Sequence, residues 1–463
     1  MKRNATALSV LVTMAAATVS AQTFTTLFSF DGTDEQGAAP CAGLFQARSG
    51  EFYGATSFGG DGDGGGTIFG ITSGGTLKTL YTFCTGCKDG AYPFAGMIQA
   101  KDGYLYGTTN MGGNALRFNA GCVPFGCGTV FKITPSGALT TLHRFCARSG
   151  CTDGAYPYAG LIQANDGDFY GTTGFGGAKC ISTAPQACGT VFKITRSGRL
   201  TTLYSFCSQP NCADGEYPMA GVIQANDGNL YGTTYNGGAN PCEPNTGCGT
   251  VFRITPSGIL TTLYSFCSEP DCADGADPLA GLVQAANGDF YGTTYDNGYY
   301  GGYGTVFKIT PSGKFTTLHR FCSAVSSTAC LDGANPRSGL IQAANGEFYG
   351  TTQTGGANNA GTIFRIAADG KLTTVYSFCS QAGCADGQTP YAGLVQAING
   401  DLYGTTLGGG DNGGHGTVYR LSSGLSPATE TQSRKPAPAA QPGSAQPQTP
   451  GSTLSRHRPF PVK

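Results

Sequence analysis

Residues 160 to 173 read GLIQANDGDFYGTT, and residues 339 to 352 read GLIQAANGEFYGTT. The Tyr-Gly-(Thr/Ala)-Thr signature within them starts at Tyr53, Tyr106, Tyr170, Tyr231, Tyr291, Tyr349 and Tyr403. That makes seven copies, 53 to 64 residues apart. A fixed period of this length is the mark of a repeat architecture. One unit holds four strand-like pieces: AGLIQA (159–164), DFYGTT (168–173), GTVFKIT (189–195) and LTTLYSF (200–206). Each is short, rich in β-branched and aromatic residues, and bounded by Gly, Asp, Asn or Pro.

Two connections per unit are tight. Asn-Asp-Gly at 165–167 and Thr-Pro-Ser-Gly at 134–137 exemplify them, with glycine supplying the positive φ that a hairpin needs. The other two connections are longer and differ between copies. Four antiparallel strands repeated seven times predict an all-β, seven-bladed β-propeller over residues 22–424. FTTLFSF (24–30) corresponds to a fourth strand and GTVYRLS (416–422) to a third. The first segment is therefore expected to complete the last blade and hide two sheet edges. AGLIQA is assigned as the innermost strand and LTTLYSF as the outermost.

The run Asp-Gly-x-(Leu/Phe)-Tyr-Gly-Thr-Thr-x-x-Gly-Gly, followed by Gly-Thr-Val-Phe-Lys-Ile-Thr, resembles the Gloeobacter/Verrucomicrobium-type ("GloVer") tandem repeat of exported bacterial proteins. The resemblance covers about residues 24–422. It implies a secreted or surface-tethered protein and assigns no catalytic residues to the repeat. This chain departs from the pattern at its end, a Pro/Gln/Ser-rich stretch (425–463) with neither an apolar helix nor a sorting motif.

The composition agrees with that class. The chain has 463 residues, net charge -1, 12% charged residues, 75 glycines and 19 cysteines. Glycine in such number without a collagen triplet implies many tight turns. A near-neutral chain offers no basic face for nucleic acid. Residues 1–21 carry Lys2 and Arg3, an apolar run and Val19-Ser20-Ala21, which reads as a signal peptide cleaved after Ala21. Export to the periplasm, cell surface or medium is expected, with no transmembrane segment, as a monomer. The tail 425–463 is expected to be an extended spacer.

Eighteen cysteines fall into close pairs: Cys84 and Cys87, Cys122 and Cys127, Cys146 and Cys151, Cys180 and Cys188, Cys207 and Cys212, Cys242 and Cys248, Cys267 and Cys272, Cys322 and Cys330, Cys379 and Cys384. On an exported chain these imply disulfides. No histidine stands at zinc-ligand spacing, so no metal site is assigned. Local pairing is the expectation. Cross-strand bridges are the alternative, because Cys127, Cys188 and Cys248 stand opposite Cys146, Cys207 and Cys267 across the hairpin. Cys41 is left over.

Residues common to every unit serve what every unit shares, namely blade geometry and blade-to-blade packing. The ring Gln46, Gln99, Gln163, Gln224, Gln284, Gln342 and Gln396 reads as a hydrogen-bonded stitch between blades rather than a channel lining. Asp89, Asp153, Asp214, Asp274, Asp332 and Asp386 begin Asp-Gly-x-x-Pro motifs. One carboxylate per loop reads as an Asx-type turn. Calcium is the competing reading, although a calcium loop gathers several oxygens.

Strand alternation puts both tight hairpins on one face and both variable loops on the other. All nine cysteine pairs fall in the variable loops, and stapled loops on a rigid scaffold suit binding. Just before each inner strand stand Cys41, Phe94, Tyr158, Met219, Leu279, Arg337 and Tyr391. They are either a ligand-binding rim or a plug in the channel. The loop 295–303 adds Tyr295, Tyr299, Tyr300 and Tyr303, and the loop 110–127 adds Arg117 and Phe118. Tyrosine faces stack on sugars and peptides. The expected function is binding of an extracellular glycan or protein. The alternatives are a polysaccharide hydrolase or lyase at the same face, or a structural envelope component. Catalytic candidates are few: His415 beside Asp411, with Glu216, Asp277 or Glu243 as carboxylates from separate blades.

Overall fold

The computed structural model describes residues 22–427 apart from positions 34, 61–63, 85, 114–121, 123–125, 180–187, 243–245, 298–301 and 323–329. The expected leader (1–21), most of the tail (from 428), Arg117, Phe118, Cys180, Glu243, Tyr299 and Tyr300 lie outside the described residues.

Seven four-stranded antiparallel sheets make seven blades, and a two-stranded ribbon decorates one of them. In one blade the order is Ile162–Gln163, Phe169–Thr173, Thr190–Ile194 and Leu200–Ser205, each strand paired with the next in the chain. The first strand has only two residues, shorter than the AGLIQA piece suggested. The second is buried along its whole length, while the fourth is half-buried. The last blade is built as expected. Thr23–Ser29 pairs antiparallel with Thr417–Ser422 and supplies its fourth strand.

The repeated residues stitch blade to blade. Each Gln side chain bridges two blades: Gln163 Nε2 donates to Gly167 O at 3.0 Å, and its Oε1 accepts from Lys101 N at 3.0 Å. The Thr after Tyr-Gly also crosses, with Thr108 Oγ1 donating to Ala159 O at 2.9 Å and Thr172 Oγ1 to Ala220 O at 2.9 Å. The Tyr ring stacks on the next blade, as Tyr106 does on Phe169 with centroids 4.1 Å apart. The glycine between them leaves room for the third strand's aromatic ring. A Cβ on Gly107 would lie 2.6 Å from Phe131 Cζ. Thus Tyr-Gly-Thr-Thr is an aromatic wedge, a close backbone approach and a hydrogen bond, which is why it recurs in six of the seven units, with Ala55 replacing the first threonine in the other.

Candidate functional site

The loop face is built around seven residues in a left-handed conformation. Ala39, Tyr92, Tyr156, Tyr217, Asp277, Asn335 and Thr389 each precede a proline and have φ between 53° and 59°. Bulky and β-branched residues rarely adopt this conformation. Backbone hydrogen bonds hold it. Tyr156 N donates to Cys127 O of the preceding blade at 2.8 Å, and Thr389 N to Ala360 O at 2.8 Å. Their carbonyls accept from the residue after Tyr-Gly-Thr-Thr, as Tyr217 O does from Tyr235 N at 3.0 Å. Because the backbone alone fixes the geometry, the side chains at both positions can differ from blade to blade. Sequence reasoning missed these two rings. The signal was present in the variability of the residue before Pro and of the residue after Tyr-Gly-Thr-Thr.

The seven residues just before the inner strands are mostly buried. Cys41, Met219, Leu279, Arg337 and Tyr391 are buried, whereas Phe94 and Tyr158 are half-buried. Cys41 and Tyr391 pack together with Phe94 and Leu407 against them. The Arg337 guanidinium lies 4.6 Å from the Tyr391 ring centroid and 4.8 Å from that of Tyr295, and its Nε donates to Gln353 Oε1 at 2.6 Å. Burial pushes the Cys41 thiol up to about 11, so it is a neutral filler and not a thiolate.

The loops of blades two to four carry two groups of aromatic rings, together called the crescent. Tyr92 and Phe94 are 6.3 Å apart, Tyr156 and Phe175 5.4 Å, Phe175 and Tyr217 4.8 Å, and Tyr217 and Tyr235 5.9 Å. Tyr158 lies 6.1 Å from Tyr217, and the two hydroxyls hydrogen-bond. Phe58 stands half-exposed at one end. Burial, chiefly, raises the Tyr158 and Tyr217 phenols, which stay protonated donors. The crescent ends at a carboxyl pair. Tyr235 hydrogen-bonds Asp277, and burial followed by the neighbouring Asp296 carboxylate holds Asp277 well above the usual carboxylate range.

The catalytic candidates do not converge. His415 and Asp411 are both exposed, and no ion pair joins them among the described residues. The His415 ring packs over Gly32, where an added Cβ would lie 2.7 Å away. Glu216 lines a separate cleft outside the crescent. Of the tyrosines in loop 295–303, Tyr295 packs against the Arg337 guanidinium and Tyr303 is exposed.

The motif aspartates are occupied by protein partners. Asp214, fully buried, accepts from Tyr204 Oη at 2.7 Å, Ser208 N at 2.9 Å and Gln209 N at 3.1 Å. The partners come from the preceding outer strand and the turn after it, not from the aspartate's own following backbone as an Asx turn would have it. His143 and His319 replace that tyrosine and bond Asp153 at 3.0 Å and Asp332 at 2.9 Å.

The cysteines pair locally, and the bonds Cys84–Cys87, Cys122–Cys127, Cys146–Cys151, Cys207–Cys212, Cys242–Cys248, Cys267–Cys272, Cys322–Cys330 and Cys379–Cys384 are formed. Cys188 is also disulfide-bonded. The cross-strand alternative had a spatial basis: the sulfurs of Cys122, Cys127, Cys146 and Cys151 all lie within 4.8 Å of one another, as do those of Cys242, Cys248, Cys267 and Cys272. Fully reduced, either quartet would have the donor set of a tetrathiolate zinc site. Paired as disulfides, they offer no thiolate.

Among solved structures, the chain is similar to the polysaccharide lyase Uly1 at 14% identity, covering 83% of this chain and 90% of that one, with a TM-score of 0.49. It is also similar to a gluconolactonase from Xanthomonas campestris at 14% identity, covering 88% and 89%, with a TM-score of 0.40. At such identities and scores these likenesses say nothing about this chain's chemistry. No curated protein matches the sequence. The Gloeobacter/Verrucomicrobia repeat matches residues 10–242, 118–331 and 323–449, together most of the chain. The chain belongs to the Gloeobacter/Verrucomicrobia repeat family.

Proposed function

We propose that the loop face binds an extracellular glycan across the aromatic crescent. The observation that carries this reading is the run of half-buried rings from Tyr156 through Phe175 and Tyr217 to Tyr235, with Tyr92 and Phe94 as a further pair on the preceding blade. Ring faces bury the apolar faces of sugars, and phenol hydroxyls beside them bond sugar hydroxyls. Fixed backbones and disulfide-stapled loops lower the ordering cost of binding. The disulfides also support an exported protein, as does the leader read in residues 1–21. No helix among the described residues is long and apolar enough to cross a membrane.

Cleavage of the same glycan is the second reading, favoured by one observation: the Asp277–Asp296 pair, with burial and the Asp296 charge raising Asp277 well above the usual carboxylate range, stands at the end of the crescent. One experiment separates the two. The oxidised protein is incubated with a panel of bacterial and plant polysaccharides, and retention and chain cleavage are scored together. Retention without cleavage supports binding, and cleavage replaces it with the enzyme. Tyr217→Ala and Tyr235→Ala should each weaken retention about tenfold, corresponding to about 1.4 kcal/mol. Unchanged retention in both would remove the crescent from the site.

A further inference from the structure

Immediately outside the crescent lies a cleft of about 510 Å3, lined by Asn211, Glu216, Gly237, Gly238, Asn240 and Pro241 among others. It is built by the same two backbone segments that carry the crescent. Glu216 and Asn236 pair as an antiparallel bridge, with Glu216 N donating to Asn236 O at 2.9 Å and Asn236 N to Glu216 O at 3.1 Å. The next residue of one segment, Tyr217, packs on Phe175 and Tyr158. The preceding residue of the other, Tyr235, packs on Tyr217. One side of this bridge is therefore aromatic and the other polar.

The Glu216 carboxyl is half-buried, and among the described residues no ion pair involves it. Its Oε2 lies 3.6 Å from Cys207 Sγ, a disulfide sulfur with no proton to donate. The Asn236 amide gives it one hydrogen bond. A carboxylate has room for about four acceptor contacts. Asn240 is oriented by its own structure, its Nδ2 donating to Ser265 O at 3.1 Å and Phe266 O at 2.9 Å. Asn211 is exposed at the rim and held at φ 54° inside the Cys207–Cys212 turn.

We infer that this cleft is an outer subsite of the glycan site, in which Glu216 accepts two hydrogen bonds from a vicinal diol of a neutral sugar. This rests on the glycan reading above and extends it: the ligand is an oligosaccharide that crosses the Glu216–Asn236 bridge, with one ring on Tyr217 and the next beside Glu216. A neutral diol fits better than a cation, because burial raises the Glu216 carboxyl toward its uncharged form and so opposes a site built on full charge.

The test uses the oxidised full chain on an array of cello-, xylo-, manno- and laminari-oligosaccharides, from disaccharide to hexasaccharide, with Glu216→Gln and Tyr217→Ala beside it. Gln keeps the shape but replaces one acceptor with a donor. Affinity should rise with chain length, and Glu216→Gln should erase that rise, a loss of roughly fivefold to tenfold for the longer chains, while leaving the shortest bound ligand unchanged. Binding that does not grow with length, or growth that survives Glu216→Gln, overturns the subsite and leaves the crescent reading standing. Absence of binding to every oligosaccharide and to the polysaccharide panel overturns both.

Discussion

Gln46 Oε1 accepts a hydrogen bond from Ile398 N at 2.9 Å, joining the first blade to the last. The same amide side chain donates through Nε2 to Gly50 O at 3.0 Å. The contact is the ring-closing member of a set repeated at every blade boundary. Here it is seconded by Phe52 stacking on Tyr403, with centroids 4.1 Å apart. Gln46→Ala removes both hydrogen bonds of a buried side chain, leaving the Ile398 amide and the Gly50 carbonyl without it. It should lower unfolding free energy by about 1–3 kcal/mol, read as a fall in the urea midpoint at unchanged slope. Gln163→Ala should cost a similar amount, since it occupies the same position in another blade. A loss confined to Gln46 would mean that only closure, not stitching in general, depends on this residue.

Tyr419 stands where six other blades have Phe69, Phe131, Phe192, Phe252, Phe307 and Phe364. Its hydroxyl is buried and has no hydrogen-bond partner among the described residues. A Cβ on Gly404 would meet that hydroxyl at 2.4 Å, so the fit is already close. Tyr419→Phe should stabilise the fold by about 1–3 kcal/mol, the cost of the unmade hydrogen bond. Calorimetry on the two proteins checks it, and an unchanged or lower Tm would refute it.

The first blade reads Tyr-Gly-Ala-Thr, with Ala55 in place of the threonine that crosses to the neighbouring blade elsewhere. Thr233 Oγ1 reaches Ala280 O at 3.0 Å and Thr405 Oγ1 reaches Ala42 O at 3.4 Å. Ala55→Thr should restore the missing bond to Ala95 O and add about 1 kcal/mol to stability. A decrease would show that the first blade sits too close to the second for the added atoms.

Asp277 carries a stability dependence on pH. Burial, then the Asp296 carboxylate, raises it well above 3.8, with Tyr235 as its hydrogen-bond partner. The folded chain keeps a proton that the unfolded chain releases. That difference costs nothing below the unfolded value and grows as pH climbs from there through the folded value. Asp277→Asn should therefore raise stability at neutral pH and change little near about pH 3. A gain of equal size at both pH values would point to packing instead of titration.

Much of the fold was legible because blade geometry writes itself into every unit. Tyr-Gly-Thr-Thr, the hairpin glycines and the inner glutamine have one job each, and a job done at every boundary leaves one residue at every repeat. The bonding of the motif aspartates was less legible, since their partners arrive from the preceding outer strand. The exchange of tyrosine for His143 and His319 was the available clue. The site was least legible. Its residues are by nature those that do not repeat, and what unites Tyr217, Tyr235 and Asp277 is a left-handed turn and a backbone pair that no single residue type announces. The residues just before the inner strands were singled out, but side-chain size alone did not show that the Arg337 guanidinium packs between Tyr295 and Tyr391.

The closing strand has a cost in time. Ser29 and Asn412 bond across 383 positions of chain, and the sheet between them cannot form until both ends are present. Six blades can assemble from neighbours in sequence, but the last needs the longest loop closure in the molecule. Until then Thr417–Ser422 presents an unpaired β edge, the surface on which two molecules could exchange their first strands. A chain circularly permuted to put residues 23–30 after 422 would make every blade local, and should refold faster than the natural order while keeping its equilibrium stability.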